Sequence, residues 1–183
     1  MHTAEPGTLL VAEPFLKDEN FLRSVVLLCE HGEEGSVGFV LTRRYKQILN
    51  QLIPALDSRK WPLFYGGPVQ TDSLHFIHQY PRLIPGSREI RQGIWWGGDF
   101  STVLDLLREE ALEPERIRFF IGYSGWDTNQ LNQELDQHNW LLTPASSSLV
   151  FHRQPKQIWN ESLKSMGGDY AMMINFPIDP LLN

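Results

Sequence analysis

A few short stretches carry side chains whose types and spacing could do chemistry. The first is Gly122-Tyr123-Ser124-Gly125, where a strand-like run gives way to a helix-like one. Hydrolases place a nucleophilic serine at such a corner, in the pattern G-x-S-x-G, so that the backbone can turn sharply around it. Gly122 fits, but the second glycine comes one residue early and position 126 is Trp. An indole is too bulky for that crowded turn. The same residues spell out a helix start instead. Asp127 suits an N-cap, Gln130 can close a capping box, and Trp126 with Leu131 makes a hydrophobic staple. Ser124 is therefore expected at a structural corner, its hydroxyl bonded locally. The second stretch is Cys29-Glu30-His31. A reactive thiol needs a positive, partly open setting, and Glu30 and Glu33 make this one acidic. A buried cysteine ending an apolar strand, with His31 opening a turn, is expected. The third is His75 with His78. On a strand that spacing sends two imidazoles to opposite faces, where they cannot chelate one metal.

Other patterns exclude more than they assign. No His-Glu-x-x-His run and no cysteine pair exists, so no metal is expected. Gly32, Gly35 and Gly38 match neither a dinucleotide fingerprint nor a phosphate loop, and no cofactor is expected. Arg43-Arg44 with Lys46 is the densest basic spot, and Arg82, Arg88 and Arg91 form a second, diluted by Glu89. Either could take an anionic ligand, although short charge clusters are ordinary on solvated loops. No helix-turn-helix pattern with exposed basic residues appears. Six tryptophans are many for this length. Trp95 and Trp96, adjacent on an extended run, point to opposite faces, which suits an interface, a ligand groove or a second packed layer.

The elements that must position these groups follow from periodicity. Strands are predicted at 8–12, 24–30, 36–42, 63–69, 73–80 and 116–123, with a hairpin turn over 31–35. The segment 63–69 ends in a Gly66-Gly67-Pro68 corner. An extended run with a glycine bend spans 89–98, and further extended runs are expected at 140–145, 148–151 and the start of the tail at Tyr170. A weak helix over 45–56 should stop at Pro54. Clear helices follow Asp99 (with Phe100, Val103, Leu104, Leu107 and Ala111 on one face), run over 127–137, and start near Pro155. Strands come in runs more than they alternate with helices. The fold class is accordingly α+β, with a mixed, largely antiparallel sheet and about three packed helices in one compact domain over 1–183.

Composition bounds the setting. The 183 residues carry 22 acidic and 16 basic side chains, a net charge of −6, which works against general affinity for nucleic acid or anionic membrane. A single cysteine and no signal peptide point to a reducing cytoplasm. The longest apolar run, Val25 to Cys29, is far too short to span a membrane.

Taken in order, these pieces resemble the YqgE/AlgH family of bacterial proteins over essentially the whole chain. The resemblance rests on the run from Gly7 to Arg44, on Tyr65 to Gln70, on Phe120 to Leu135 with Trp140, on Trp159 and on the terminal Leu182-Asn183. It implies an α+β domain with no established catalytic residue, in a family often labelled a transcriptional regulator. Two departures stand out. Thr42-Arg43-Arg44 replaces the family's usual Asn-Arg-Pro, and Asp127-Thr128-Asn129 replaces a Gly-Pro-Gly-like run.

The functional expectation is a cytoplasmic, non-enzymatic protein that binds an unidentified protein or small ligand, with any regulatory effect indirect. His31, Arg43, Gly66, Gly67, Tyr123, Ser124 and Trp126 are the candidate binding residues. Two rivals are a DNA-binding regulator and a small hydrolase using Ser124 or Cys29.

Overall fold

The computed structural model describes residues 3–57 and 59–178. One nine-stranded sheet runs through it: β1 (Thr8–Ala12), β2 (Val25–Gly32), β3 (Gly35–Val40), β4 (Leu63–Tyr65), β5 (Val69–His78), β6 (Arg88–Arg91), β7 (Ile94–Trp96), β8 (Ile117–Trp126) and β9 (Trp140–Pro144). The order is β6-β7-β5-β8-β3-β2-β1-β9, with β4 also paired to β8. Every pairing is antiparallel except β4 with β8. The fold is α+β with a mixed, largely antiparallel sheet.

The unbroken apolar runs of β1 and β2 have a simple cause: both faces of the sheet are covered. Leu9, Val11, Leu27, Cys29 and Phe39 enter one core with Ile158, Trp159 and Leu163. Their alternates Leu10, Ala12, Val26, Leu28 and Val40 enter another with Trp126, Leu131 and Trp140. A third core gathers Phe76, Val103, Leu107, Ile117, Phe119 and Ile121. Period-two alternation therefore sorts side chains between cores, leaving no polar face to read.

Among the described residues there are six α-helices, not about three: α1 (Leu49–Leu52), α2 (Phe100–Arg108), α3 (Gln130–Asp136), α4 (Ser147–Val150), α5 (Ile158–Met166) and α6 (Gly168–Met172). The extra ones are short. α4 replaces the strand expected at 148–151, because Ser146 caps it by accepting from the amide of Leu149 at 3.3 Å. α6 and a 3-10 turn over Met173–Asn175 replace the expected strand-like tail. α1 is one turn of the weak helix, ending before Pro54. α2 begins at its expected cap, with Asp99 accepting from the amide of Thr102 at 2.8 Å, but ends before Ala111. The segment 89–98 is a β6–β7 hairpin. The terminal Leu182-Asn183 lies outside the described residues. Among the described residues no helix is long and apolar enough to cross a membrane.

Candidate functional site

Ser124 does not sit at a corner. β8 continues past Gly122 to Trp126, and Ser124 pairs with Gly38 of β3. What happens at Gly122 is a crossing of two chains. β4 flanks one edge of β8 at Phe119–Ile121, and β5 flanks the other edge over the same residues. Gly66-Gly67-Pro68 must carry the chain from one edge to the other, over the backbone of β8. A Cβ on Gly66 would lie 2.3 Å from the Gly122 carbonyl oxygen, and one on Gly67 would lie 2.3 Å from the Tyr123 carbonyl. Only glycine permits that approach. The Ser124 hydroxyl, fully buried, donates to the Gly66 carbonyl oxygen at 3.0 Å, which also accepts from the Val40 amide. Its one proton is committed to a carbonyl, and among the described residues no histidine bonds to it. As a nucleophile it is unusable. The expected local bond is instead a bond across 58 residues.

The other expected residues are spread widely. Cys29 is fully buried, and burial raises its thiol pKa far above the ordinary value, so it stays protonated and inert. It is the extra residue of a β-bulge between Leu28 and Glu30. His31 bonds Ser36 at 2.8 Å and lines an open groove of about 1110 Å³ beside β9, with His138, Trp140, Leu142, Met166 and Tyr170. Trp126 is buried against α3, while Tyr123 packs on the opposite core beside His75 at 5.7 Å. Tyr123 and Trp126 therefore face different cores. Arg43 stands by the Tyr65 phenol, whose pKa burial raises and Arg43 partly lowers. His75 and His78 face opposite cores, His75 against Phe39 and His78 against Phe76.

The structure assembles a different cluster, around Arg118. This residue lies in β8 and is 4% exposed. Its Nη1 donates to the Leu41 carbonyl at 3.3 Å and its Nη2 to the His152 carbonyl. The guanidinium carbon is 4.6 Å from the centre of the Phe64 ring, and that of Arg44 is 5.5 Å from the same ring. Burial first and the Arg44 charge second draw the Arg118 pKa down to about 9, which leaves it charged at neutral pH. Four ion pairs join described residues, and none includes Arg44, Arg118, Arg153 or Lys156. Buried arginine is ordinarily paired with a carboxylate, since an unpaired buried charge costs on the order of several kcal/mol.

The residues that follow the two carbonyls bonded by Arg118, Thr42 and Arg153, line a pocket of about 400 Å³. Thr42 and Arg44 form one wall; Arg153 and the turn Gln154–Gln157, leading into α5, form the other. Three of the seven lining residues are cations and none is an acid. The Thr42 hydroxyl oxygen is buried with no hydrogen-bond partner among the described residues. An orphaned hydroxyl costs about 1–3 kcal/mol. The sequence signal that could have found this site was present in part: Arg44 was in the basic spot. Arg118, in a run otherwise read as core strand, was not.

Comparison with known proteins covers almost the whole chain. A family model described as AlgH-like matches residues 9–171. A UPF0301 protein of Cytophaga hutchinsonii is 42% identical over 178 residues, covering 97% of this chain and 98% of its own. A UPF0301 protein of Chlorobium limicola is 40% identical over 178 residues, covering 97% and 95%. Among solved structures, the AlgH protein of Pseudomonas aeruginosa is similar with a TM-score of 0.73 at 25% identity, over 97% of this chain and 98% of that one. A Corynebacterium diphtheriae protein has the same fold, with a TM-score of 0.79 at 24% identity over 96% and 94%.

Proposed function

The chain belongs to the AlgH-like family, and on that premise we propose that it acts by binding a small anionic ligand, without catalysis, in the pocket of Thr42, Arg44, Arg153 and Lys156. The observation that carries this reading is Arg118, a buried cation with no carboxylate partner among the described residues, bonded to the carbonyls of Leu41 and His152, which immediately precede the lining residues Thr42 and Arg153. An anion in the pocket supplies the missing countercharge. The volume of about 400 Å³ suits a small molecule. Any effect on gene expression is then indirect, through a ligand-dependent partner. A net charge of −6 and a concave, compact patch of cations argue against a duplex-binding face. The hydrolase reading loses both of its nucleophiles to burial.

Titration of isotope-labelled protein with a panel of small phosphorylated, sulfonated and carboxylated compounds tests the reading. At least one class should shift the amide signals of Thr42, Arg44 and Gln154–Gln157 in a saturable way. Arg44 and Lys156 are exposed, so Arg44→Ala and Lys156→Ala should each weaken binding about tenfold while leaving the thermal transition unchanged. Saturable binding that leaves these signals still would count against the site.

A further inference from the structure

We propose that the anionic group this pocket takes is the dianionic phosphate of a small phosphate monoester. The inference rests on the anion-binding reading above and adds the class of ligand.

The first argument is charge. Arg44, Arg153 and Lys156 line the pocket, Arg118 bonds the carbonyl of Leu41 next to Thr42, and no acidic residue lines it. A carboxylate or a phosphodiester brings one negative charge to four positive groups. A phosphate monoester brings close to two at neutral pH and leaves less of the field unbalanced.

The second argument is direction. A carboxylate is planar, and one guanidinium fork satisfies it from one side. Here the lining comes from two segments distant in the chain. Thr42 and Arg44 follow β3; Arg153 and Lys156 belong to the stretch that leads into α5. That loop forms the first turn before α5, a helix of nine residues. The Gln157 amide donates to the Gln154 carbonyl at 2.9 Å, the Ile158 amide to the Pro155 carbonyl and the Gln154 amide to the His152 ring, which leaves the Lys156 amide of this turn without a partner among the described residues. Pro155 stands at the first position, where a missing N–H loses nothing. Three terminal oxygens on a tetrahedral phosphorus offer donors from two segments more acceptor sites, in more directions, than the two coplanar oxygens of a carboxylate.

The third argument is Thr42. Its hydroxyl oxygen is buried and has no partner among the described residues, and the residue, 8% exposed, is one of those that line the pocket. Buried hydroxyls are nearly always bonded. A phosphate oxygen gives this one an acceptor. The remaining lining, Pro155 with Gln154 and Gln157, presents an apolar ring and two amides to whatever group the phosphate carries.

The test compares methyl phosphate, dimethyl phosphate and acetate by calorimetric titration at neutral pH, with the same pocket amides followed by NMR. Methyl phosphate should bind about tenfold tighter than either monoanion. Thr42→Val keeps the shape and removes the hydroxyl. It should weaken methyl phosphate about fivefold or more, leave acetate unchanged, and not destabilise the ligand-free protein, because the hydroxyl has no partner to lose. Equal binding of all three anions at these amides overturns the phosphate assignment and leaves the anion site standing. No anion perturbing the pocket at all overturns both. Glycerol 3-phosphate and a phosphoserine tetrapeptide separate two sources of the same group. Tighter binding of the peptide overturns the small-molecule assignment.

Discussion

His78 shows how far a single residue can be read. Its spacing from His75 was enough to place the two rings on opposite faces, because strand alternation has a period of two. The state of the ring needed its neighbours. Nδ1 accepts from the Tyr80 amide at 3.0 Å, so the proton sits on Nε2, which donates to the Gly97 carbonyl at 2.9 Å. A second proton on Nδ1 would meet the Tyr80 N–H head on. Burial accordingly lowers the His78 pKa below its ordinary 6.5, against a smaller opposing pull from the Gly97 bond, and burial lowers that of His75 as well. In the unfolded chain both rings titrate near the ordinary value. The stability they contribute is therefore present above pH 6.5 and is lost as pH falls through the folded values. Urea midpoints should drop between about pH 7.5 and about pH 5, and the drop should shrink in His78→Gln.

At the scale of the element, α3 was half legible. Its staple was readable: Trp126 and Leu131 do share a core. Its cap was misread. β8 pairs with β3 as far as Trp126, which pushes the turn onto Asp127-Thr128-Asn129, and the N-cap becomes Asn129 at a φ of 63°. The Asp127 carboxylate caps nothing, although its amide still donates to the Gln130 side chain at 3.0 Å. The anchor that local pattern could not reveal is Glu134. One of its oxygens accepts from the indoles of both Trp126, at 3.0 Å, and Trp140, at 2.8 Å, tying α3 to β8 and β9. Glu134→Ala should cost about 2–4 kcal/mol, since two part-buried donors lose a charged acceptor. Glu134→Gln, which keeps a carbonyl oxygen, should cost less than half of that. Urea unfolding followed by tryptophan fluorescence measures both. The short helices α4 and α6 escaped for another reason: four or five residues contain too little period to tell helix from strand.

At the scale of the whole molecule, the crossing of Gly66-Gly67 over Gly122 determines the order of the sheet, because it moves the chain from one edge of β8 to the other. Gly122 has a φ of 67°, and a Cβ there would lie 2.5 Å from the Gly67 carbonyl oxygen. Gly122→Ala should therefore lose about 3 kcal/mol or fail to fold. Ser124→Ala, which frees one carbonyl still held by the Val40 amide, should lose only about 1–2 kcal/mol. Thermal unfolding of the two variants checks the contrast. A Ser124→Ala protein as crippled as Gly122→Ala would assign that hydroxyl more than a supporting bond.

By itself the sequence determined the class of fold, the main strands, the Asp99 cap of α2, the faces of the long helices, and the exclusion of a complete catalytic, metal or nucleotide motif. These are properties of spacing along the chain, and spacing is local. Tertiary structure decided that Ser124 braces a carbonyl 58 residues away, and that Arg118 reaches main-chain carbonyls 77 and 34 residues away. It also decided that Arg44, rather than Arg43, shares a pocket with Thr42 and Lys156. Charge and burial at such a site depend on which distant segments the fold brings together. A buried arginine and an exposed one are the same letter until the packing around them exists.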